Sequence, residues 1–211
     1  MTGIIVCSGS ITDYSNVRKY FIKADLIICV DGGALHLRKL GIAPHILVGD
    51  LDSIAENDYT SLMDKGVAVV KFPAEKDATD TQLAVELAME KGCQEVILLG
   101  ATGTRLDHTM ANVFLLRILL EAGKKGIIAD EHNEIEMINK SIQLRREKDL
   151  KISLVPVGGK VTGVTTQGLH YPLEDATLEF GTTWGISNEF ANETASVVIK
   201  DGLLLVIKSR D

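Results

Sequence analysis

Short, unbroken apolar runs rich in Val and Ile recur through the first part of the chain, each followed by a segment of helical pattern. The runs fall at 3–7, 26–30, 46–48, 67–70, 96–99 and 127–129. They do not alternate apolar with polar residues. They therefore fit strands covered on both faces rather than strands with one wet side. The helical patterns lie at 15–23, 33–40, 54–65, 80–91 and 108–122, and four of them stop at Gly41, Gly66, Gly92 or Gly123. Glycine enters the left-handed region at low cost, which suits it to the position just past a helix end. Ser53-x-x-Glu56 and Thr79-x-x-Gln82 match the capping box that starts a helix. Strand and helix in alternation predict a mainly parallel, layered α/β domain over residues 1–130.

Beyond residue 130 the pattern changes. Segments 134–139, 150–155, 161–166, 176–179 and 195–208 read as strands, with no strong helical stretch among them. Asp201-Gly202, between 196–200 and 203–208, carries the signal of a tight hairpin. Residues 131–211 are expected to form a small antiparallel β-sandwich domain. The expected class is thus α/β with an appended β-sandwich. No Pro- or Gly-rich linker marks the join.

Composition removes several function classes. The 211 residues are 45% apolar and 24% charged, enough for an ordinary core. A formal charge of −7 lacks the basic footprint of a nucleic-acid binder. Cys7, Cys29 and Cys93 form no C-x-x-C pair, which fits reduced thiols and a cytoplasmic protein. The run at 4–6 is too short for a signal peptide. The stretch at 113–120 is broken by Arg117 and too short to span a bilayer, so no membrane association is expected.

In open α/β sheets, ligands bind beyond the C-terminal ends of the strands. Reading those positions gives Asp31-Gly32-Gly33, then Gly49-Asp50-Leu51-Asp52-Ser53, then Lys76-Asp77-Ala78-Thr79-Asp80. The fifth run leads into Gly100-Ala101-Thr102-Gly103 and Arg105-Leu106-Asp107-His108. Several carboxylates, each with an ordinary pKa of about 3.9, would then share one edge. Like charges so close need compensation, which a divalent cation supplies. Magnesium suits them, because it takes oxygen ligands and is held by one or two carboxylates plus substrate phosphates. Asp50-x-Asp52 after a strand is the natural core of such a site.

Each motif taken singly has a plain structural explanation. Ser53, Thr79 and Asp107 are equally well explained as helix caps, and Asp80 as a first-turn carboxylate favoured by the helix dipole. Gly32-Gly33 also fits a tight turn, and Arg105 a solvated loop charge. Gly9-Ser10 after the first run fits either a turn or a phosphate-holding loop. His36 and His132 read as surface or core histidines. No G-x-x-x-x-G-K-[ST] or G-x-G-x-x-G occurs. Capping does not explain why so many polar groups meet at one edge, so the joint pattern points to metal–phosphate chemistry. In the β part, Tyr171 and Trp184 are either ordinary rim aromatics or platforms for a cationic heteroaromatic ring. Ser187-Asn188 is either a turn or a pair of hydrogen-bonding groups.

The ordered set resembles the thiamine pyrophosphokinases. It comprises D-G-G-A at 31–34, G-D-L-D-S at 49–53, K-D-A-T-D at 76–80, G-A-T-G-T-R-L-D-H at 100–108, G-L-H-Y-P-L at 168–173 and G-I-S-N-E at 185–189. The resemblance implies pyrophosphoryl transfer from ATP to the hydroxyl of thiamine. It also implies a homodimer with active sites at the subunit interface. By the same resemblance Asp50, Asp52 and Asp80 would hold Mg2+, with Asp31 and Asp77 in the same acidic cluster. Arg105 would lie near the ATP phosphates, and Gly32, Gly33, Thr79, Asp107 and His108 around the nucleotide. Asp52, Asp80 and Arg105 are the expected catalytic set. Tyr171, Ser187 and Asn188 would line the thiamine pocket; Trp184 receives no role. Pro44-His45 stands where the family pattern predicts Pro-Asp, and Thr104 stands where glycine is common. The competing readings are a D-x-D nucleotide-sugar transferase and a non-catalytic nucleotide sensor.

Overall fold

The structure is a computed structural model that describes residues 1–51, 54–72 and 77–210. It divides into two compact units, Met1–Glu131 and His132–Asp211.

The first unit is built on strands β1 (Thr2–Val6), β2 (Leu26–Val30), β3 (Ile46–Gly49), β4 (Ala68–Lys71), β5 (Glu95–Leu99) and β6 (Lys125–Ala129). They lie in the order β4-β3-β2-β1-β5-β6, and every adjacent pair is parallel. The helices are α1 (Tyr14–Arg18), α2 (Ala34–Leu40), α3 (Glu56–Asp64), α4 (Asp80–Glu90) and α5 (Leu106–Glu121). Val17, Leu37, Leu40 and Leu62 pack with Ile4, Val6, Ile27, Cys29 and Leu47 of the sheet. Their neighbours Gly3 and Gly126 belong to the opposite face: a Cβ on Gly3 would lie 2.8 Å from Cys93 Sγ, and one on Gly126 would lie 2.7 Å from a Leu119 methyl. Helices α4 and α5 cover that face. Burial on both sides is why these strands read as continuous apolar runs.

Several element limits differ from expectation. The pattern at 15–23 is α1 followed by a 3-10 turn, Lys19–Lys23. Just after it, Asp25 N donates to Thr2 O at 2.9 Å, ahead of β2. Helix α3 begins at Glu56 with Ala55 as its N-cap, and no side chain caps it. Ser53, the expected cap, lies outside the described residues. Thr79 does cap α4, its Oγ1 accepting from Gln82 N at 3.2 Å. The Gln82 side chain donates through Nε2 to Glu86 Oε1, one turn along the helix, at 2.9 Å. Helix α5 starts at Leu106, which puts Asp107 inside its first turn rather than at its N-cap.

The second unit is antiparallel. Its strands are β7 (Asn133–Ile138), β8 (Ser141–Arg145), β9 (Lys151–Gln167), β10 (Ala176–Leu178), β11 (Asn188–Glu189), β12 (Thr194–Val198) and β13 (Asp201–Ser209). The two runs expected at 150–155 and 161–166 are parts of one strand, β9. Its first part pairs with β13, which pairs in turn with β7. Its last residues pair with β12, which pairs with β8. Strand β9 thus serves both sheets, and Leu144, Ile152, Leu154, Val161, Val197, Leu204 and Val206 fill the core between them.

The hairpin expected at Asp201-Gly202 does not form. Strands β12 and β13 each pair with β9 rather than with each other. The β9–β13 register jumps here: Asp201 faces Thr162 while Leu203 faces Val157. Gly202, at φ +106°, sits against this irregularity, and a Cβ there would lie 2.8 Å from Lys160 O. The dipeptide that signals a tight turn is used for a bulge, which needs the same backbone freedom.

Candidate active site

The strand ends of the first unit converge on one edge. Loop 7–10, after β1, is zipped to the loop after β5: Cys7 N donates to Leu99 O, Gly9 N to Gly100 O and Ser10 N to Thr102 O, each at 2.8 Å. This closeness requires glycine, since a Cβ on Gly9 would lie 2.2 Å from Thr102 O. A cleft of about 330 Å³ opens beside the paired loops. Its walls include Ser8, Gly9, Ser10, Thr81, Gly100–Arg105, His108 and Asn112.

Side chains from surrounding elements brace these walls. Asn112, buried in α5, donates to Ala101 O at 2.8 Å. Thr102 Oγ1 donates to Asp130 at 2.9 Å, just beyond β6. His36 of α2 is buried and lies 2.7 Å from Gly9 O through Nε2 and 2.7 Å from the Tyr14 hydroxyl through Nδ1. A carbonyl only accepts, so Nε2 carries the proton and Nδ1 accepts from Tyr14. Burial lowers the His36 pKa, against the raising effect of the Gly9 bond. The ring is therefore a neutral strut under the loop. Cys7 lies against Thr81 at 3.7 Å, and burial pushes its thiol up to about 12. It is not a thiolate nucleophile at neutral pH.

The carboxylates arrive from β2, β3 and α4. Asp31 has φ +41° and ends β2. Its Oδ1 accepts from Leu51 N at 3.3 Å. The carboxylate also occupies the space above Gly49, where a Cβ would lie 1.7 Å from Oδ1. Asp31 and the Gly49–Leu51 segment are therefore brought together, with Leu51 itself at φ +71°. Gly33 is buried, and its missing Cβ lets the turn rest on Val6 O, 2.2 Å from where that atom would be. Asp80 is the first residue of α4. Thr81, next to it, lines the cleft, whereas Asp77 is exposed in the preceding bend. Asp52 and Lys76 lie outside the described residues. Among the described residues, no group of three or more His, Cys, Asp or Glu side chains gathers closely enough to hold a metal.

Arg105 and His108 line the cleft. Arg105 pairs with Asp107 at 2.6 Å, both exposed. The guanidinium hydrogen bond, helped by the His108 N–H, holds the Asp107 carboxyl down at about 2. Asp107 is therefore ionised at neutral pH and pairs with Arg105 on the exposed rim of the cleft.

In the second unit a cleft of about 270 Å³ is lined by Leu154, Tyr171, Pro172, Leu173, Trp184, Gly185, Ile186 and Asn188. Asn188 is nearly buried and clamps Tyr171. Its Oδ1 accepts from Tyr171 N at 3.0 Å, and its Nδ2 donates to Tyr171 O at 2.7 Å. Ser187, at φ +59°, donates its N–H to Ser153 Oγ at 3.0 Å. Sequence reasoning did not single out Thr81 or Asn112, and it named Thr102 only as part of the loop at 100–103. Thr102 and Asn112 owe their roles to partners far along the chain.

Similarity to known proteins agrees with this arrangement. Residues 17–128 match the family described as "Thiamin pyrophosphokinase, catalytic domain", and residues 139–204 match the "vitamin B1 binding domain" of the same enzymes. The chain is 31% identical to the thiamine pyrophosphokinase of Bacillus subtilis (strain 168) over 209 residues, 98% of each chain. The chain belongs to the thiamine pyrophosphokinase family. The crystal structure of the Bacillus subtilis member superposes with a TM-score of 0.92 at 29% identity, with all of both chains covered. That of Geobacillus thermodenitrificans superposes at 0.86 and 30%, covering 100% of this chain and 98% of the other. The yeast enzyme shares the fold, at 0.82 and 18%, over 99% of this chain and 86% of its own. Among the described residues, no helix is long and apolar enough to cross a membrane.

Proposed function

We propose that this family member transfers the pyrophosphoryl group of ATP to the hydroxyl of thiamine, giving thiamine diphosphate and AMP. The observation that carries the reading is the glycine-walled cleft at the sheet edge, with Arg105 at its rim and Asp31, Asp50 and Asp80 on neighbouring strand and helix ends. The hydroxyl oxygen of thiamine attacks the β-phosphorus. The bond from that phosphorus to the bridging oxygen of the α-phosphate breaks, and AMP leaves.

In this scheme the protein mostly positions and neutralises. The Ser8–Ser10 and Gly100–Gly103 loops wall the phosphate end of the cleft, the N–H groups of Gly9, Ser10 and Gly103 being spent on Gly100 O, Thr102 O and Thr109 Oγ1 in bracing that wall. Arg105, beside Asp107, pairs with a phosphate oxygen. Gly32, Gly33, Thr79, Asp77 and His108 surround the nucleotide. Asp52 or Asp80 accepts the proton of the attacking hydroxyl. Tyr171, fixed by Asn188, offers a flat face to thiamine, and Ser187 adds a polar group. The donors at Asp50, Asp52 and Asp80 are hard carboxylate oxygens and so fit Mg2+, with Asp31 nearby. Bound there, Mg2+ would supply charge neutralisation on the phosphates.

In this reading the first unit is the catalytic ATP domain, the second the thiamine domain, and the working form is a cytoplasmic homodimer with active sites at the subunit interface. Leu106, Met110 and Phe114, an exposed apolar stripe at four-residue spacing on α5, support a second copy as partner.

The test is incubation of purified protein with ATP, Mg2+ and thiamine, followed by chromatography. AMP and thiamine diphosphate in equal amounts, both lost on chelation, are expected. ADP with thiamine monophosphate would mean that the γ-phosphorus is attacked. ATP binding with no thiamine product would leave a nucleotide sensor.

A further inference from the structure

The second unit exposes an indole that the reading above leaves without a task. Trp184 is 62% exposed and Tyr171 is 65% exposed, yet both line the same apolar cleft. Most apolar groups of this unit fill its core, and of the other exposed ones, Phe180, Ile186 and Val198, only Ile186 joins them at that cleft. We propose that Trp184 contacts the thiamine ring system and forms, with Tyr171, the two aromatic walls of its cleft. This rests on the thiamine reading above.

Both aromatics are held from behind. Tyr171 is gripped on both sides of its main chain by the Asn188 amide, and its ring meets His170 edge-on at 4.7 Å. The segment bearing Trp184 is docked on β9. Leu154 N donates to Gly185 O at 2.8 Å, and a Cβ on Gly185 would lie 2.3 Å from Leu154 O. Two residues on, the Ser187 N–H is fixed to Ser153. The backbone on either side of the cleft is thus set before any ligand arrives, which lowers the ordering cost of binding. Leu154, Pro172 and Ile186 make the floor apolar, and Asn188 adds one polar group.

That lining selects a flat ring rather than a sugar or a phosphate. Aromatic faces carry negative charge density and attract a cation lying over them, with indole the strongest. Thiamine offers a cationic thiazolium and an aminopyrimidine, so each wall has a ring to meet. Trp184 then acts in substrate recognition and has no part in phosphoryl transfer.

Trp184 is the one tryptophan of the chain, so indole fluorescence reports it alone. Titration of the full-length protein with thiamine is expected to quench or shift its emission saturably, while ATP alone leaves it unchanged. Trp184→Phe, which keeps a weaker aromatic face, is expected to raise the KM for thiamine only about twofold. Trp184→Ala should raise that KM about tenfold, leaving the KM for ATP and the kcat near wild type. Thiamine binding seen by calorimetry with unchanged emission, together with wild-type kinetics in Trp184→Ala, would overturn the proposal while sparing the parent reading. Emission that follows protein dilution and ignores thiamine would overturn it too, and would assign the indole to a second copy. No thiamine binding in calorimetry would bring down both readings.

Discussion

Replacing His36 with leucine tests whether the loop at Gly9 depends on a neutral imidazole beneath it. The change removes two 2.7 Å hydrogen bonds, one to Gly9 O and one from the Tyr14 hydroxyl. Tyr14 and Gly9 are both partly exposed, so each regains some water and each lost bond costs roughly 0.5–1.5 kcal/mol net. Leucine recovers part of this through apolar burial, leaving a net loss of about 1–2 kcal/mol. Thermal unfolding should then fall by roughly 2–8 °C. The pH dependence has a definite sign. Burial depresses the folded-state pKa of His36 below the unfolded value of about 6.5. Below that pH the unfolded chain takes up a proton that the folded chain refuses. The stability due to His36 is thus fully present above about pH 6.5 and is lost as pH falls through the folded pKa. The gap between wild type and His36→Leu, measured by urea unfolding from pH 8 to 5, should narrow toward the acid end. A gap that stays constant over that range, or a loss under about 0.5 kcal/mol at pH 8, would refute the reasoning.

Two further substitutions probe local geometry. Gly202→Ala forces a Cβ toward Lys160 O at a φ of +106°, and should cost about 1–3 kcal/mol in urea unfolding; a neutral result would mean that the bulge relaxes freely. Thr79→Ala removes the cap of α4 and should cost about 1 kcal/mol of stability, checked by circular dichroism on heating.

The parallel sheet was legible because two-sided burial writes itself as unbroken Val and Ile runs, and chain order then fixes the ends where ligands gather. Asp31, Asp50 and Arg105 stand at those ends for that reason. Other features were hidden by distance along the chain. Nothing near His36 announces Gly9, 27 residues earlier, and nothing near Asn188 announces the main chain of Tyr171, 17 residues earlier. Asp201-Gly202 misled because tight turns and bulges make the same demand on a backbone. The runs at 150–155 and 161–166 read as two strands, yet β9 continues through the residues between them and pairs with β13 at one end and β12 at the other. Strand β8 went unseen although Ser141–Arg145 alternates polar and apolar residues, the weak signature of a half-wet strand.

The sharing of β9 has a consequence for how the second unit comes apart. A sandwich made of two separate sheets can open like a hinged case, one leaf at a time. Here one seventeen-residue strand is stitched into both leaves, its first part into one and its last residues into the other. Peeling β12 from one side frees the end of the strand that anchors β13 on the other. Unfolding of either leaf therefore propagates into its neighbour, and the unit behaves as one cooperative block. The loops carrying Tyr171 and Trp184 hang from that block, so their positions persist for as long as the whole unit stays folded.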